Sequence, residues 1–183
     1  MSRSLGRIFS IARSVGVFLR SYFALSRMEP FAEVVDGYKY VGLPYSDIGE
    51  FLELYYIFND GVKISYLQKI LINIYSEKCI LAVYDNQFLV GFDYFYFNSR
   101  DFADETIHEG FIGVTPAHQR NGIASNLRKI SMEHYNVNRL GISTRISTSN
   151  EGSFKSAKKH GFVVVDTYLE NGAEERNYCV FKK

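Results

Sequence analysis

Residues 114–124 read Val114-Thr115-Pro116-Ala117-His118-Gln119-Arg120-Asn121-Gly122-Ile123-Ala124. They join a predicted strand to a predicted helix, and such a turn leaves backbone N–H groups unpaired at the positive end of the helix dipole. Gly122 has no Cβ, so the main chain there can come close to a bound phosphate. The stretch is therefore typical of an anion cradle. Many helices begin in this way and bind nothing, so the turn alone predicts no particular ligand.

A second pattern follows the next predicted strand, where Asn150 leads into a short helix that closes at Gly161-Phe162. Together the two patterns resemble the GNAT superfamily of acetyl-CoA-dependent N-acetyltransferases. The signature of that family is a Gln or Arg, two residues, a Gly, one residue, and then a Gly or Ala. Residues 119–124 match this signature in full. The strong resemblance covers about Thr106 to Phe162, and residues 1–30 lie outside it.

The resemblance implies acetyl-CoA as a co-substrate and no metal ion. The backbone amides of residues 119–124 would hold the coenzyme pyrophosphate. The Thr106–Val114 strand would pair with the pantetheine arm, because in this family that strand splays from the Arg139–Ser147 strand and leaves groups unpaired. The start of the short helix would border the same arm. The residues implied to bind the coenzyme are Ile112, Gly113, Val114, Gln119, Arg120, Asn121, Gly122, Ile123, Ala124, Asn150 and Ser153.

Acetyl transfer to an amine needs a base for the amine, a donor for the thioester oxygen and an acid for the departing sulfur. A strand carboxylate is the base in several members of the family, and His108 matches its spacing from the cradle. Imidazole can take a proton near neutral pH without a large pKa shift. We therefore expect His108 to be the catalytic base, with Glu109 as the second candidate. Strand alternation puts these two side chains on opposite sides unless a bulge intervenes.

One position departs from the family pattern. Many members carry a Tyr seven residues after the Asn as the acid that protonates the thiolate, and here that position is Ala157. Either Ser153, Ser156, another Tyr or water takes the role, or the protein binds acetyl-CoA without efficient turnover. The expected function is an N-acetyltransferase that acts by direct attack of a primary amine, which could belong to an amino sugar, a small amine or a protein. The alternatives are a non-catalytic acyl-CoA-binding module and a membrane-associated adaptor.

Length and composition indicate one globular domain with a terminal appendage. The chain has 183 residues, of which 46% are hydrophobic and 22% charged, so it can bury a core and is not mainly disordered. A net charge of +1 gives no overall attraction to nucleic acid. Cys79 and Cys179 lie far apart in predicted strands, which favours two small core residues over a disulfide framework or a metal site. We expect residues 1–30 to form the appendage and residues 31–183 the acetyltransferase domain.

Beyond Pro30 the pattern alternates short strands and helices in the order βααβββαβαββ, which predicts an α/β domain. The resemblance implies a mixed, mostly antiparallel sheet flanked by helices, with splayed central strands. A polar loop is expected at Asn98–Glu105, and a hairpin loop that contains Asn171-Gly172. The strands are expected at Tyr38–Leu43, Cys79–Tyr84, Gln87–Phe97, Thr106–Val114, Arg139–Ser147, Phe162–Leu169 and Asn177–Phe181.

The sequence predicts a basic amphipathic helix over residues 2–27. Five Arg and no acidic residue lie in residues 1–28, and the arginines recur near helical spacing between apolar residues. They also interrupt the apolar runs, so the segment does not cross a bilayer as written. Three interpretations stay open: a helix on an anionic membrane or partner surface, a helix docked on the domain, and a targeting peptide. The expected location is cytoplasmic, and peripheral contact with the inner membrane face and a homodimer are both left open.

Overall fold

A computed structural model describes residues 2–170 and 174–182 of the chain, with side chains from Ile11 onward. The helices are α1 (Ser2–Ser26), α2 (Ile48–Phe58), α3 (Tyr66–Cys79), α4 (Asp101–Asp104), α5 (Ile123–Val137) and α6 (Glu151–Lys159). The strands are β1 (Val34–Asp36), β2 (Tyr38–Gly42), β3 (Ile80–Asp85), β4 (Phe88–Tyr96), β5 (Thr106–Val114), β6 (Gly141–Ser147), β7 (Val163–Glu170) and β8 (Glu174–Phe181). The hairpin loop expected at Asn171-Gly172 lies outside the described residues.

Within the described residues, the strands form one sheet in the order β1-β2-β3-β4-β5-β6-β8-β7. All neighbouring strands are antiparallel except β5 and β6, which are parallel. The β5–β6 pairing ends at Glu109, opposite Thr144, so among the residues that the structure describes β5 has no partner on that side from Gly110 to Val114. The predicted mixed, mostly antiparallel sheet flanked by helices is confirmed. The point at which β5 and β6 part is called the fork below.

Helices cover both faces of the sheet. Strand β4 contacts both helical layers, because its alternate side chains point to opposite faces. Phe92 packs on Phe51 of α2, with ring centroids 4.8 Å apart. Phe95 packs on Tyr135 of α5 on the other face, with centroids 4.7 Å apart. A bulge lies at the fork: Tyr94 pairs with Phe111 and Phe95 pairs with Glu109, which leaves Gly110 as the extra residue. The side chains of β5 therefore point either to the layer of α2 or to the layer of α5.

Two local expectations were wrong. Cys79 does not begin a strand but ends α3, because the helix continues until Ile80 becomes extended and donates its N–H to Ser76. Both cysteines are nevertheless buried and free, and burial raises the pKa of Cys79 to about 12. The expected loop at Asn98–Glu105 contains the one-turn helix α4, because the Asn98 side chain accepts from the backbone N–H of Asp101 and the Asp101 carboxylate accepts from that of Asn98.

Helix α1 docks on the domain along one side only. Ser21 and Leu25 are buried, and Tyr22 lies against Tyr75 of α3 with ring centroids 5.4 Å apart. The opposite side carries four exposed apolar residues, called the apolar stripe below: Ile11, Val15, Leu19 and Phe23, which are 45–58% exposed. No helix among the described residues is long and apolar enough to span a membrane.

Candidate functional site

The turn that precedes α5 has the geometry of an anion cradle. Arg120 and Gly122 both have positive φ, at 65° and 79°, and Gly122 caps α5 with no side-chain hydrogen bond. Gln119 donates its side-chain amide to the Val114 carbonyl (3.1 Å), and Asn121 donates to the Tyr38 hydroxyl (3.3 Å). These bonds tie the turn to the sheet. Within the described residues, no acceptor takes the backbone N–H groups of residues 120–125, so they are left for a ligand.

The other signature residues take different positions in this turn. The Ile123 side chain is buried in the core, so only its backbone amide belongs to the cradle. Arg120 and Ala124 are exposed. A Cβ on Gly122 would meet no heavy atom within 4 Å, which shows open space directly over the turn. The structure therefore brings the predicted pyrophosphate residues together at one helix N-terminus, with open space beside Gly122.

The edge of β5 beyond the fork continues towards the cradle. Ile112, Gly113 and Val114 pair with β4 on one side, and on the other side no strand of the described part of the chain pairs with them. All three are half-buried, so their edge is reachable. Gly113 packs closely under α2, because a Cβ there would lie 2.6 Å from Cδ2 of Phe58. An unpaired edge of this kind can add hydrogen bonds to the amide groups of an extended ligand.

The start of α6 follows β6, the strand that parts from β5 at the fork. The Asn150 side chain caps α6 by accepting from the Ser153 N–H at 3.1 Å. Helices α5 and α6 are joined by the Ser125 hydroxyl and His160 Nε2, which are 3.2 Å apart. Ala157, at the position of the missing Tyr, is completely buried. The structure thus holds both predicted α6 residues at the helix start and offers no phenol at position 157.

The two candidate catalytic residues point to opposite faces of the sheet, as strand alternation predicted. Glu109 faces α5, where Arg128 donates to both of its carboxylate oxygens at 2.9 and 2.8 Å, and both side chains are 2% exposed. Arg128 also donates to the Ser156 hydroxyl of α6 at 2.8 Å. Burial, and then the charge of Glu109, raise the pKa of neighbouring Asp93 well above its usual value. Sequence reasoning missed Arg128 because nothing in the helix pattern separates a buried arginine from an exposed one.

His108 faces the layer of α2 and is 3% exposed. Its Nδ1 lies 2.8 Å from the Ser143 hydroxyl, and its ring centroid lies 5.1 Å from that of Tyr96. Burial, with a smaller contribution from the charge of Arg145, lowers the pKa of His108 to about 3. The imidazole is therefore neutral at physiological pH. The Tyr96 ring covers Gly110 so closely that a Cβ there would collide with it.

Two cavities lie on the His108 side of the sheet. One of about 280 Å³ is lined by Arg145, Glu170 and neighbouring side chains of β7 and β8. The other, of about 450 Å³, lies between α1 and α3 and reaches Tyr96. Asp101, Asp104 and Glu109 add no unpaired charge to either cavity, because each already has a hydrogen-bond or ion-pair partner. Within the described residues, no cluster of three or more His, Cys, Asp or Glu side chains could hold a metal ion.

A family model described as the acetyltransferase (GNAT) family matches residues 47–162, well over half of the chain. No curated protein matches the sequence. Several solved structures are similar in fold. Naa50 of Arabidopsis thaliana, in complex with the bisubstrate analogue CoA-Ac-MVNAL, has a TM-score of 0.66 at 17% identity, over 81% of this chain and 100% of that one.

Two further structures show the same fold in other organisms. Ard1 of Thermoplasma volcanium has a TM-score of 0.64 at 16% identity, over 81% of this chain and 100% of that one. Mutant forms of the spermidine/spermine N-acetyltransferase SpeG of Vibrio cholerae have a TM-score of 0.59 at 15% identity, over 79% of this chain and 93% of that one. At these identities the similarity establishes the fold alone.

Proposed function

The chain belongs to the GNAT family of acetyltransferases, and from this premise we propose that it transfers an acetyl group from acetyl-CoA to a primary amine by direct attack. The observation that supports this most strongly is the continuity of the unpaired β5 edge with the free amides before α5. Together they offer an extended hydrogen-bonding edge that ends in an anion cradle. That combination suits a long ligand with an amide-containing arm and a pyrophosphate.

Acetyl-CoA, when bound, supplies an acetyl group already activated as a thioester. We propose that residues 119–124 hold the pyrophosphate through their backbone amides and that residues 112–114 pair with the pantetheine arm. Asn150 and Ser153 border the same arm at the start of α6. The reaction then forms a bond between the amine nitrogen and the carbonyl carbon, breaks the bond from that carbon to sulfur, and moves one proton from nitrogen to a base.

His108 is the proposed base. Because its pKa is lowered to about 3, the imidazole keeps a free lone pair at neutral pH, and it sits next to the fork. The amine must arrive uncharged or lose its first proton to water, since so weak a base does not deprotonate an ammonium group. Glu109 stays the second candidate, and a role as base would require its ion pair with Arg128 to open.

We propose that Ser156 or Ser153 passes a proton to the departing sulfur and takes one back from water, since Ala157 has no proton to give. Arg128 donates to the Ser156 oxygen, which leaves the hydroxyl hydrogen of Ser156 free to point elsewhere and makes it a better donor. Water remains an alternative source. If none of these groups acts, the protein is the non-catalytic acyl-CoA-binding module that Ala157 also favours.

The proposed acceptor is a primary amine that belongs to an amino sugar, a small amine or a protein. Similar folds act on both peptide and polyamine amines, since one neighbour binds a CoA–peptide analogue and another is a spermidine/spermine N-acetyltransferase.

The test is calorimetric titration of the full chain with acetyl-CoA and with coenzyme A, followed by thiol release with pooled amino sugars, polyamines and peptide N-termini. Binding with release supports the enzyme. Binding without release for any amine favours the non-catalytic module, and no binding by folded protein rejects both.

Helix α1 supports a second proposal, that the protein attaches peripherally to an anionic membrane surface on the cytoplasmic side. The apolar stripe is exposed along the helix. Arg13 donates to the Ser99 hydroxyl at 2.6 Å and the Arg20 guanidinium lies 4.8 Å from the Phe102 ring centroid, so a membrane would have to compete with the domain for these two charges. An interfacial helix of this type gains from burying its apolar side and from about 1 kcal/mol for each basic residue near anionic lipid. A homodimer that buries the same stripe is the competing proposal, and it would show as a doubled mass in solution.

A further inference from the structure

Three buried polar side chains, those of Asp101, Ser143 and His108, are linked by hydrogen bonds. The Ser143 hydroxyl of β6 donates to Asp101 Oδ1 at 2.7 Å, and His108 Nδ1 lies 2.8 Å from the same hydroxyl oxygen. Asp101 and Ser143 have no solvent exposure. The three residues come from α4, β6 and β5, so only the folded chain brings them together. Neither the family signature nor the proposed base accounts for Asp101 or Ser143.

We propose that Asp101 and Ser143 are positioning residues that hold His108 in the tautomer with the proton on Nδ1, which leaves Nε2 as the proton acceptor. The inference rests on the proposed function in giving His108 the role of base. It goes further in naming the groups that prepare His108 for that role. The tautomer follows from the direction of each hydrogen bond between these three side chains.

Asp101 has the partners of an ionised carboxylate. Its Oδ2 accepts from the backbone N–H of Asn98 at 2.8 Å, and this group can only donate. Its Oδ1 accepts from Ser143 and also from the Thr106 hydroxyl at 3.0 Å. Burial raises the pKa of Asp101, and these three donors, together with the charge of Arg145, work against that rise. Three converging donors favour the charged form.

The hydrogen count at Ser143 then fixes the tautomer. A serine hydroxyl carries one hydrogen, and Ser143 has two neighbours that could accept it, Asp101 and the Tyr178 hydroxyl. The carboxylate is the stronger acceptor and lies 2.7 Å away, so the hydrogen points to Asp101. The Ser143 oxygen can therefore only accept from His108, so the hydrogen between them belongs to Nδ1. A neutral imidazole with a hydrogen on Nδ1 has none on Nε2. Since the lowered pKa of His108 keeps the ring neutral at pH 7, the unshared pair on Nε2 is present at that pH.

Nε2 is placed to use that unshared pair. It makes no hydrogen bond within the described residues, and it is not among the fully buried polar atoms that lack a partner. His108 pairs with Ser143 one residue before the fork, and its ring lies against Tyr96, which covers Gly110. When the amine N–H bond breaks, the new bond forms between that proton and Nε2, while the Nδ1 hydrogen stays in place. The carboxylate of Asp101 then offsets the positive charge through Ser143.

The test reads the tautomer directly, by nitrogen NMR of the ligand-free full chain labelled at histidine. The chain has four histidines, and the signals lost in His108→Gln assign His108. The expected result near pH 7 is a protonated Nδ1 and an unprotonated Nε2. Asp101→Asn should reverse this pattern, because an amide donates to Ser143 and turns its hydroxyl towards Nδ1. A wild-type His108 with its proton on Nε2 would overturn the proposal.

Thr106 provides a matched control. Thr106→Val removes a hydroxyl that bonds the same Asp101 oxygen but does not touch His108, so the His108 signals should stay as in the wild type. Ser143→Ala should let the tautomers mix, and Ser143→Thr should restore the wild-type pattern. Equal spectra for wild type and Ser143→Ala would contradict the role of Ser143. None of these readings needs acetyl transfer, so they stand even if the proposed function fails.

Turnover then separates the two proposals. With an acceptor that supports thiol release, Ser143→Ala should lower kcat about a hundredfold with unchanged coenzyme binding, because a mispositioned base loses most of its contribution. Ser143→Thr and Thr106→Val should stay within about threefold of the wild type. If the tautomer responds as expected but kcat does not, the positioning of His108 is correct and its assignment as base is rejected.

Discussion

Arg128 and Glu109 form a bidentate ion pair directly behind the fork, at 2.8 and 2.9 Å, with both side chains 2% exposed. The pair joins α5 to β5 at the last position where β5 still has a parallel neighbour. The same guanidinium extends to Ser156 of α6. One buried cation therefore connects the helix of the cradle, the strand edge and the helix that begins at Asn150.

Breaking this ion pair should destabilise the protein strongly. We expect Glu109→Gln to cost about 3–5 kcal/mol in the free energy of unfolding by urea, because the buried Arg128 charge loses its bidentate partner and keeps only Asp93 as a nearby acid. The matched control is Lys155→Ala, which removes an exposed pair with Glu151 and should change stability little. Replacing Glu109 and Arg128 together by Met should restore much of the loss. Equal stability of Glu109→Gln and the wild type would contradict a buried charged pair.

Gly122→Val should weaken coenzyme binding at least about tenfold while the fold is kept, because a side chain would project into the open space of the cradle. Titration calorimetry measures this directly. Gly37→Val is the control, since Gly37 has a similar positive φ of 68° and equally open surroundings but lies in the β1–β2 turn. In both variants backbone strain should lower the free energy of unfolding by about 1–2 kcal/mol. If both bind coenzyme like the wild type, the cradle assignment is rejected.

Acidification should cost the wild type more stability than it costs His108→Gln. Between pH 6.5 and about 3 the unfolded chain protonates this histidine and the folded protein does not, so stability falls as the pH falls through that window. Urea unfolding at pH 7 and at pH 4.5 should show an extra loss of about 2–3 kcal/mol in the wild type. Asp93, with its raised pKa, acts in the opposite sense in both proteins. An equal loss in the two would show that His108 is solvated.

The apolar stripe should control membrane attachment. We expect the full chain to float with anionic vesicles and less with neutral ones, and Leu19→Ser combined with Phe23→Ser to reduce flotation at least tenfold through lost apolar burial. Val137→Ser is the control, because Val137 is also exposed and apolar but lies at the end of α5. No flotation of the wild type would remove the membrane proposal. A dimer that dissociates in the same double variant would support the competing one.

The sequence was most informative where local rules act. The turn before α5 and the opposite directions of His108 and Glu109 both follow from spacing within one short segment, and both are found. Ser143 and Asp101 could not be found in this way, since they are distant in sequence and their polarity resembles that of any loop or strand residue. The end of α3 at Cys79 was misplaced for a related reason, because an apolar run does not separate a buried last turn from a strand.

Helix α1 has different neighbours on its two sides. One side helps to line the cavity that reaches Tyr96, and the other side carries the apolar stripe. The width of one helix, about 10 Å, therefore separates this cavity from whatever the stripe touches. An enzyme attached in this way would meet amines on the same surface by lateral diffusion in two dimensions. The tilt of this single helix would set how far the enzyme reaches above that surface.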